Sequence, residues 1–139
     1  MNPIVRNVLA VIVGWFGGSI VNMSLIKAGQ SVFPFDGIDP NDMEALAEIM
    51  PTLDAEYFVF PFLAHAVGTL VGALIAGLIA ANHKMKFSLS IGGLFLIGGI
   101  MINYMLPGPI WFAVLDIVVA YIPMAWIGGT LALKLLPIK

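Results

Sequence analysis

The sequence contains no cysteine, which removes disulfides, thiolate metal sites and thiol nucleophiles. It is also poor in charge: 10% of its 139 residues are Asp, Glu, Lys or Arg, against about 25% in soluble domains. Arg6 and five scattered lysines form no basic patch, so nucleic acid is excluded as a partner. HExxH, CxxC, GxSxG and phosphate-loop patterns are missing as well. With no enzyme signature, the reading leans away from an enzyme and calls for no cofactor.

What the chain has instead is long apolar runs, with 60% of its residues hydrophobic. Residues 4–26, 58–82, 87–106 and 110–136 are nearly free of charge. A helix rises about 1.5 Å per residue, so about 20 residues cross the hydrocarbon core of a bilayer. The expected fold is a single all-α membrane domain over residues 1–139: a four-transmembrane-helix bundle with a short amphipathic helix in its first outer loop. Arg6 ahead of an apolar run also fits a signal peptide. That run is too long for a signal core and no small-x-small cleavage site follows it, so it reads as a spanning helix.

The stretch AHAVGTLVGALIAGLIAA from Ala64 to Ala81 organises the rest. At helical spacing His65, Gly68, Thr69, Gly72, Ala73 and Ala76 share one face, while Leu70, Val71, Leu74 and Leu78 occupy the other. In lipid, leucine is solvated by tails and helices meet through small residues. Gly68, Gly72 and Ala76 are therefore expected at helix contacts, with Gly18 on the first helix and Gly99 on the third. The paired glycines elsewhere read the same way.

Residues 27–57 differ chemically. Seven of the eight carboxylates lie there: Asp36, Asp39, Asp42, Glu44, Glu48, Asp54 and Glu56. Asp39, Pro40 and Asp42 read as a helix start, and Met43, Leu46, Ala47 and Met50 share a face until Pro51. The implied helix, 40–50, is too short to span and lies on the surface or over the bundle mouth. Its acidic face argues against attachment to anionic lipid.

Short turns at 82–86 and at Pro107, Gly108 and Pro109 make the last three spans antiparallel neighbours. Arg6, Lys84, Lys86, Lys134 and Lys139 then fall on one side and Lys27 on the other. The positive-inside rule places both termini in the cytoplasm and the acidic loop outside.

Four polar residues, Asn22, His65, Asn103 and Asp116, come from four different spans at similar expected depth, each on the small-residue stripe of its helix. They form a candidate ligand- or proton-binding layer in the outer leaflet, with His65 touching Asp116. A carboxylate at mid-membrane costs about 2.5 to 3.5 kcal/mol on insertion scales, so a partner is expected. The bland alternative is structural glue, since interhelical hydrogen bonds average about 0.6 kcal/mol. One histidine and one aspartate are too few for a metal, and none is expected. Pro123 reads as a passive kink.

NPIVRNVLAVIVG at the start, FPFLAHAVGTLVGALIA followed by ANHKMK, and MLPGPIWFAVLD before the intramembrane aspartate resemble a family of small uncharacterised four-helix integral membrane proteins of bacteria. The resemblance covers nearly the whole chain. It implies a bacterial inner membrane and no particular activity. Three functions stay open: binding or transport of a small ligand, cation or proton at a polar outer-leaflet cavity; a structural, partner-binding membrane subunit without its own ligand; or a membrane enzyme acting on lipid, for which only His65 with Asp116 or Glu56 could supply an acid and base pair. The expected partner is the lipid bilayer, and a homo-oligomer is compatible with the first two.

Overall fold

The computed structural model describes residues 1–136; Lys139, used in the charge count above, lies outside them. The described residues contain helices and no strands. Helix α1 covers Pro3–Val32. The Asn2 side chain accepts a hydrogen bond from the Ile4 amide at 2.8 Å, and Pro3 occupies the first helical position, where a missing N–H costs nothing. The helix runs six residues past 26, because Lys27 does not interrupt a helix and Gly29 is buried against Phe60. It stops at Phe33, the residue before Pro34, where the proline ring disfavours helical backbone.

The acidic segment carries a helix one turn shorter than expected, α2 at Met43–Ile49. Two aspartates compete for its N-cap. Asp39 closes a local turn by accepting from the Asn41 amide at 2.8 Å, so the cap falls to Asp42, which accepts from the Ala45 amide at 3.1 Å. Short 3₁₀ helices at Met50–Thr52 and Ala55–Phe58 lead into α3, Val59–Ile79. Pro61 falls in the first turn of α3 and leaves no break there.

The basic turn is tighter than expected, since α4 begins at Lys84 and ends at Met105. His83 makes the reversal with a left-handed backbone, φ 44°. The last predicted span is interrupted: α5 covers Ile110–Val119 and α6 covers Ile122–Leu135. Pro123 has no N–H to offer the Val119 carbonyl, and the ladder breaks there.

The stretches Pro3–Val32, Ala55–Ile79, Lys84–Met105 and Ile110–Leu135 are each long and apolar enough to cross a membrane. Their packing inverts that of a soluble protein. The fully buried side chains along them are mostly small, including Ala10, Ala64, Ala73, Ala76, Ala125 and Ala132, while Ile4, Phe16, Ile20 and Trp126 are exposed. That arrangement is compatible with a lipid surrounding.

Helix α3 lies at the centre, packed against α1, α4 and α6. Its contact with α1 is backbone on backbone. A Cβ on Gly18 would lie 2.6 Å from the Gly68 carbonyl oxygen, and one on Gly72 would lie 2.7 Å from that of Gly14. Ala76 closes the same seam, its Cβ 2.9 Å from where Gly14 would carry one. The α1 and α3 chains run antiparallel, leaving an acidic end, which carries α2, and a basic end, where Arg6 and Lys84 meet the end of α3.

Candidate functional site

Near the acidic end, Asp116 is fully buried and its carboxylate is filled by neighbours. His65 Nδ1 lies 2.8 Å from Oδ1. Asn103 donates to Oδ2 from Nδ2 at 2.9 Å, and Tyr121 donates to the same oxygen at 2.8 Å. Two helices, α3 and α4, and the break between α5 and α6 thus converge on one carboxyl group. Leaving such a group unpaired in an apolar interior costs several kcal/mol, which explains why donors surround it.

The break between α5 and α6 builds this cluster. Residues five apart on an unbroken helix point about 140° away from one another. The interruption at Ala120 and Tyr121 swings the phenol back onto the carboxylate. Pro123 is therefore constructive here, in addition to kinking the chain.

Gly99 makes room for the phenol. A Cβ at that position would lie 2.1 Å from the Tyr121 hydroxyl oxygen, and the Gly99 carbonyl also accepts from Asn103 Nδ2 at 2.9 Å, fixing that amide.

Both Asn103 and Tyr121 give hydrogens to Oδ2, which acts as acceptor. His65 Nδ1 faces Oδ1 at 2.8 Å and the Tyr121 oxygen at 2.9 Å, and with the ring as its Nδ1–H tautomer it donates to them. A neutral ring protonated on Nδ1 carries its lone pair on Nε2. Nε2 has no hydrogen-bond partner among the described residues, and it is not one of their buried, unpaired atoms. The side chain is 14% exposed, whereas that of Asp116 is 0%. The cluster leaves one basic atom open.

That atom belongs to a residue lining two hollows. One, of about 130 Å³, lies under α2, with Phe33, Phe35, Tyr57, Phe60 and Phe112 in its walls and Leu46 and Met50 from the acidic segment beside them. Gln30, His65 and Asn103, with Tyr57, are its polar lining. The Tyr57 ring stacks on Phe35 with centroids 5.7 Å apart and leans on Phe33 at 5.8 Å, tying the acidic segment over the hollow. The other is a groove of about 310 Å³ between α1 and α4 that includes Trp15, Ser19, Asn22 and Gly98.

Of the four residues expected in one polar layer, the structure joins His65, Asn103 and Asp116 by hydrogen bonds and leaves Asn22 without one to them. Asn22 sits ten residues before the end of α1 at Val32 rather than one turn from it. It packs against Gly68, a turn deeper than His65, and lines only the groove. Tyr121 was missing from the sequence reading because its spacing from Asp116 hides the contact. Thr69, one turn along α3 from His65, has a buried hydroxyl with no partner among the described residues.

At the basic end, polar groups do something else. Asn7 accepts from the Ala81 amide at 2.8 Å and donates to Asn82 at 2.8 Å. Arg6 donates to the Ile79 carbonyl, and Lys84 donates to the carbonyls of Gly77 and Ala80. These contacts finish the C-terminus of α3, whose last carbonyls have no helical partners. Among the described residues, no three His, Asp or Glu side chains converge as metal ligands would. No protein-family model, curated protein or solved structure matches this chain.

Proposed function

We propose that the protein is a multi-pass inner-membrane protein that binds a small hydroxyl-bearing ligand on His65 Nε2 and takes up and returns that hydroxyl's proton. One observation supports this above the rest: the Asp116 carboxylate is saturated from three sides while the histidine it holds keeps a free nitrogen beside a cavity. A carboxylate that accepts from an imidazole's Nδ1 fixes its tautomer and orientation and leaves Nε2 as the acceptor, an arrangement found where histidine accepts protons or ligates metals. Asp116 is then a positioning residue and His65 the contact residue.

In this reading the four apolar stretches cross the membrane as a bundle, with both termini in the cytoplasm and α2 roofing the site outside. The support is Arg6, Lys84, Lys86 and Lys134, which the helix directions put at the basic end, against Lys27 alone at the other. The open alternative is a structural or self-associating subunit. It draws on Gly93 and Gly98 of α4, where an added Cβ would meet nothing within 4 Å. Native mass spectrometry of protein released from its membrane separates the two by showing either a retained small molecule or only further polypeptide.

The direct test is equilibrium dialysis of phenol against the protein in phosphatidylcholine nanodiscs. Saturable binding to the wild type that disappears in His65→Phe is expected. Equal binding to both proteins would remove His65 from the proposal.

A further inference from the structure

The two hollows beside His65 restrict what the ligand can be. The one under α2 is walled by aromatic rings and measures about 130 Å³. An apolar cavity of about 150 Å³ is known to hold a benzene ring, so this space fits one ring and little more. The groove between α1 and α4 also borders His65, and Ile102 lines both. Its neighbours Met23, Leu94 and Ile97 are exposed apolar side chains on the surface assigned to lipid. Gly98 on its wall has nothing within 4 Å of a built Cβ. The two hollows thus lie on either side of His65 and Ile102, one enclosed by rings and the other bordered by exposed apolar side chains.

Charge narrows the head group. The acidic segment places seven carboxylates at this end against Lys27, and Asp116 lies behind the histidine. Anions are repelled on both counts, so carboxylate and phosphate head groups are disfavoured. A neutral O–H matches the Nε2 lone pair.

Resting on the reading of His65 given above, we propose that the site takes a membrane-dissolved phenolic amphiphile, a hydroxylated aromatic ring on an apolar tail. The ring sits under α2, its hydroxyl donates to His65 Nε2, and the tail leaves between α1 and α4 into the bilayer. The ligand enters from the lipid.

The test measures binding of 4-decylphenol, decylbenzene, 4-decylbenzoate and phenol to protein in phosphatidylcholine nanodiscs, with affinities taken per lipid-phase concentration. Decylphenol is expected to bind saturably, with decylbenzene and decylbenzoate about ten-fold weaker for want of the neutral donor. Gly98→Leu from one wall and Ser19→Leu from the other are each expected to reduce decylphenol to the affinity of phenol. Neither changes phenol itself. Circular dichroism and thermal midpoints confirm folding, and the two variants stand in for one another if one fails to fold.

If both groove variants bind decylphenol like the wild type while His65→Phe still loses phenol, lateral seating is wrong and the His65 reading survives. Decylbenzoate binding as tightly as decylphenol would overturn the neutral head group. Phenol binding that ignores His65→Phe would bring down both proposals.

Discussion

Each end of α3 is held by polar side chains from other helices, but the two ends use them differently. At the basic end the side chains of Arg6, Asn7 and Lys84 meet backbone groups at and just beyond the end of α3, and Asn7 also donates to the Asn82 side chain. At the acidic end the donors gather on a single side chain, Asp116, and His65, whose Nε2 has no hydrogen-bond partner among the described residues, lines a hollow. Capping ends in backbone and leaves nothing to spare. A saturated carboxylate with an open histidine has a remaining valence, and that difference marks which end is the site.

The sharpest way to break the contrast is Asp116→Leu. It strands His65, Asn103 and Tyr121 together, and a loss of about 3 kcal/mol or more is expected, the scale for removing one partner of a buried pair. Thermal unfolding in detergent measures it, and phenol binding should vanish as well.

Gly99→Ala comes next. The new methyl group displaces the Tyr121 hydroxyl, and overpacking of this kind costs about 1 to 3 kcal/mol. Because it disturbs the cluster and leaves the capping end alone, weaker phenol binding should accompany the lower thermal midpoint.

Asn7→Ala is the matched change at the other end. It removes two hydrogen bonds and should cost about 1 kcal/mol with no effect on phenol affinity. A binding defect there would erase the distinction between the ends.

The smallest expected effect belongs to Thr69→Val. The buried hydroxyl has no partner among the described residues, so its removal should leave stability unchanged or raise it by about 1 kcal/mol.

Much of this was readable from residue types, and some was not. The inverted sorting of small and large residues along Ala64–Ala81 points to the α1 and α3 seam, and Gly18, Gly68 and Gly72 meet there. His65, Asn103 and Asp116 could be named because polar groups in apolar runs need partners, and these are hydrogen-bonded together. An end at residue 26 puts Asn22 one turn from the outer boundary, whereas α1 continues to Val32 and leaves it ten residues from the end. The packing of Gly29 on Phe60, a tertiary contact, accompanies the extension past Lys27, and the stop before Pro34 is a local signal.

Tyr121 was hidden for a related reason. Periodicity assigns faces only within an unbroken helix, and the gap before Ile122 changes the phase. A proline placed seven residues after a buried aspartate was the available signal.

The central claim is that Asp116 occupies His65 Nδ1 and leaves Nε2 open. The chain has two histidines, so protein labelled with ¹⁵N-histidine in lipid gives only two imidazoles to assign, with His83 as an internal control. In a phenol titration the expected result is a saturable shift of the His65 Nε2 resonance with Nδ1 remaining protonated. His83 should not respond, and Asp116→Asn should disturb the Nδ1 signal. A phenol-dependent change confined to Nδ1, or none at either nitrogen of His65, would contradict it.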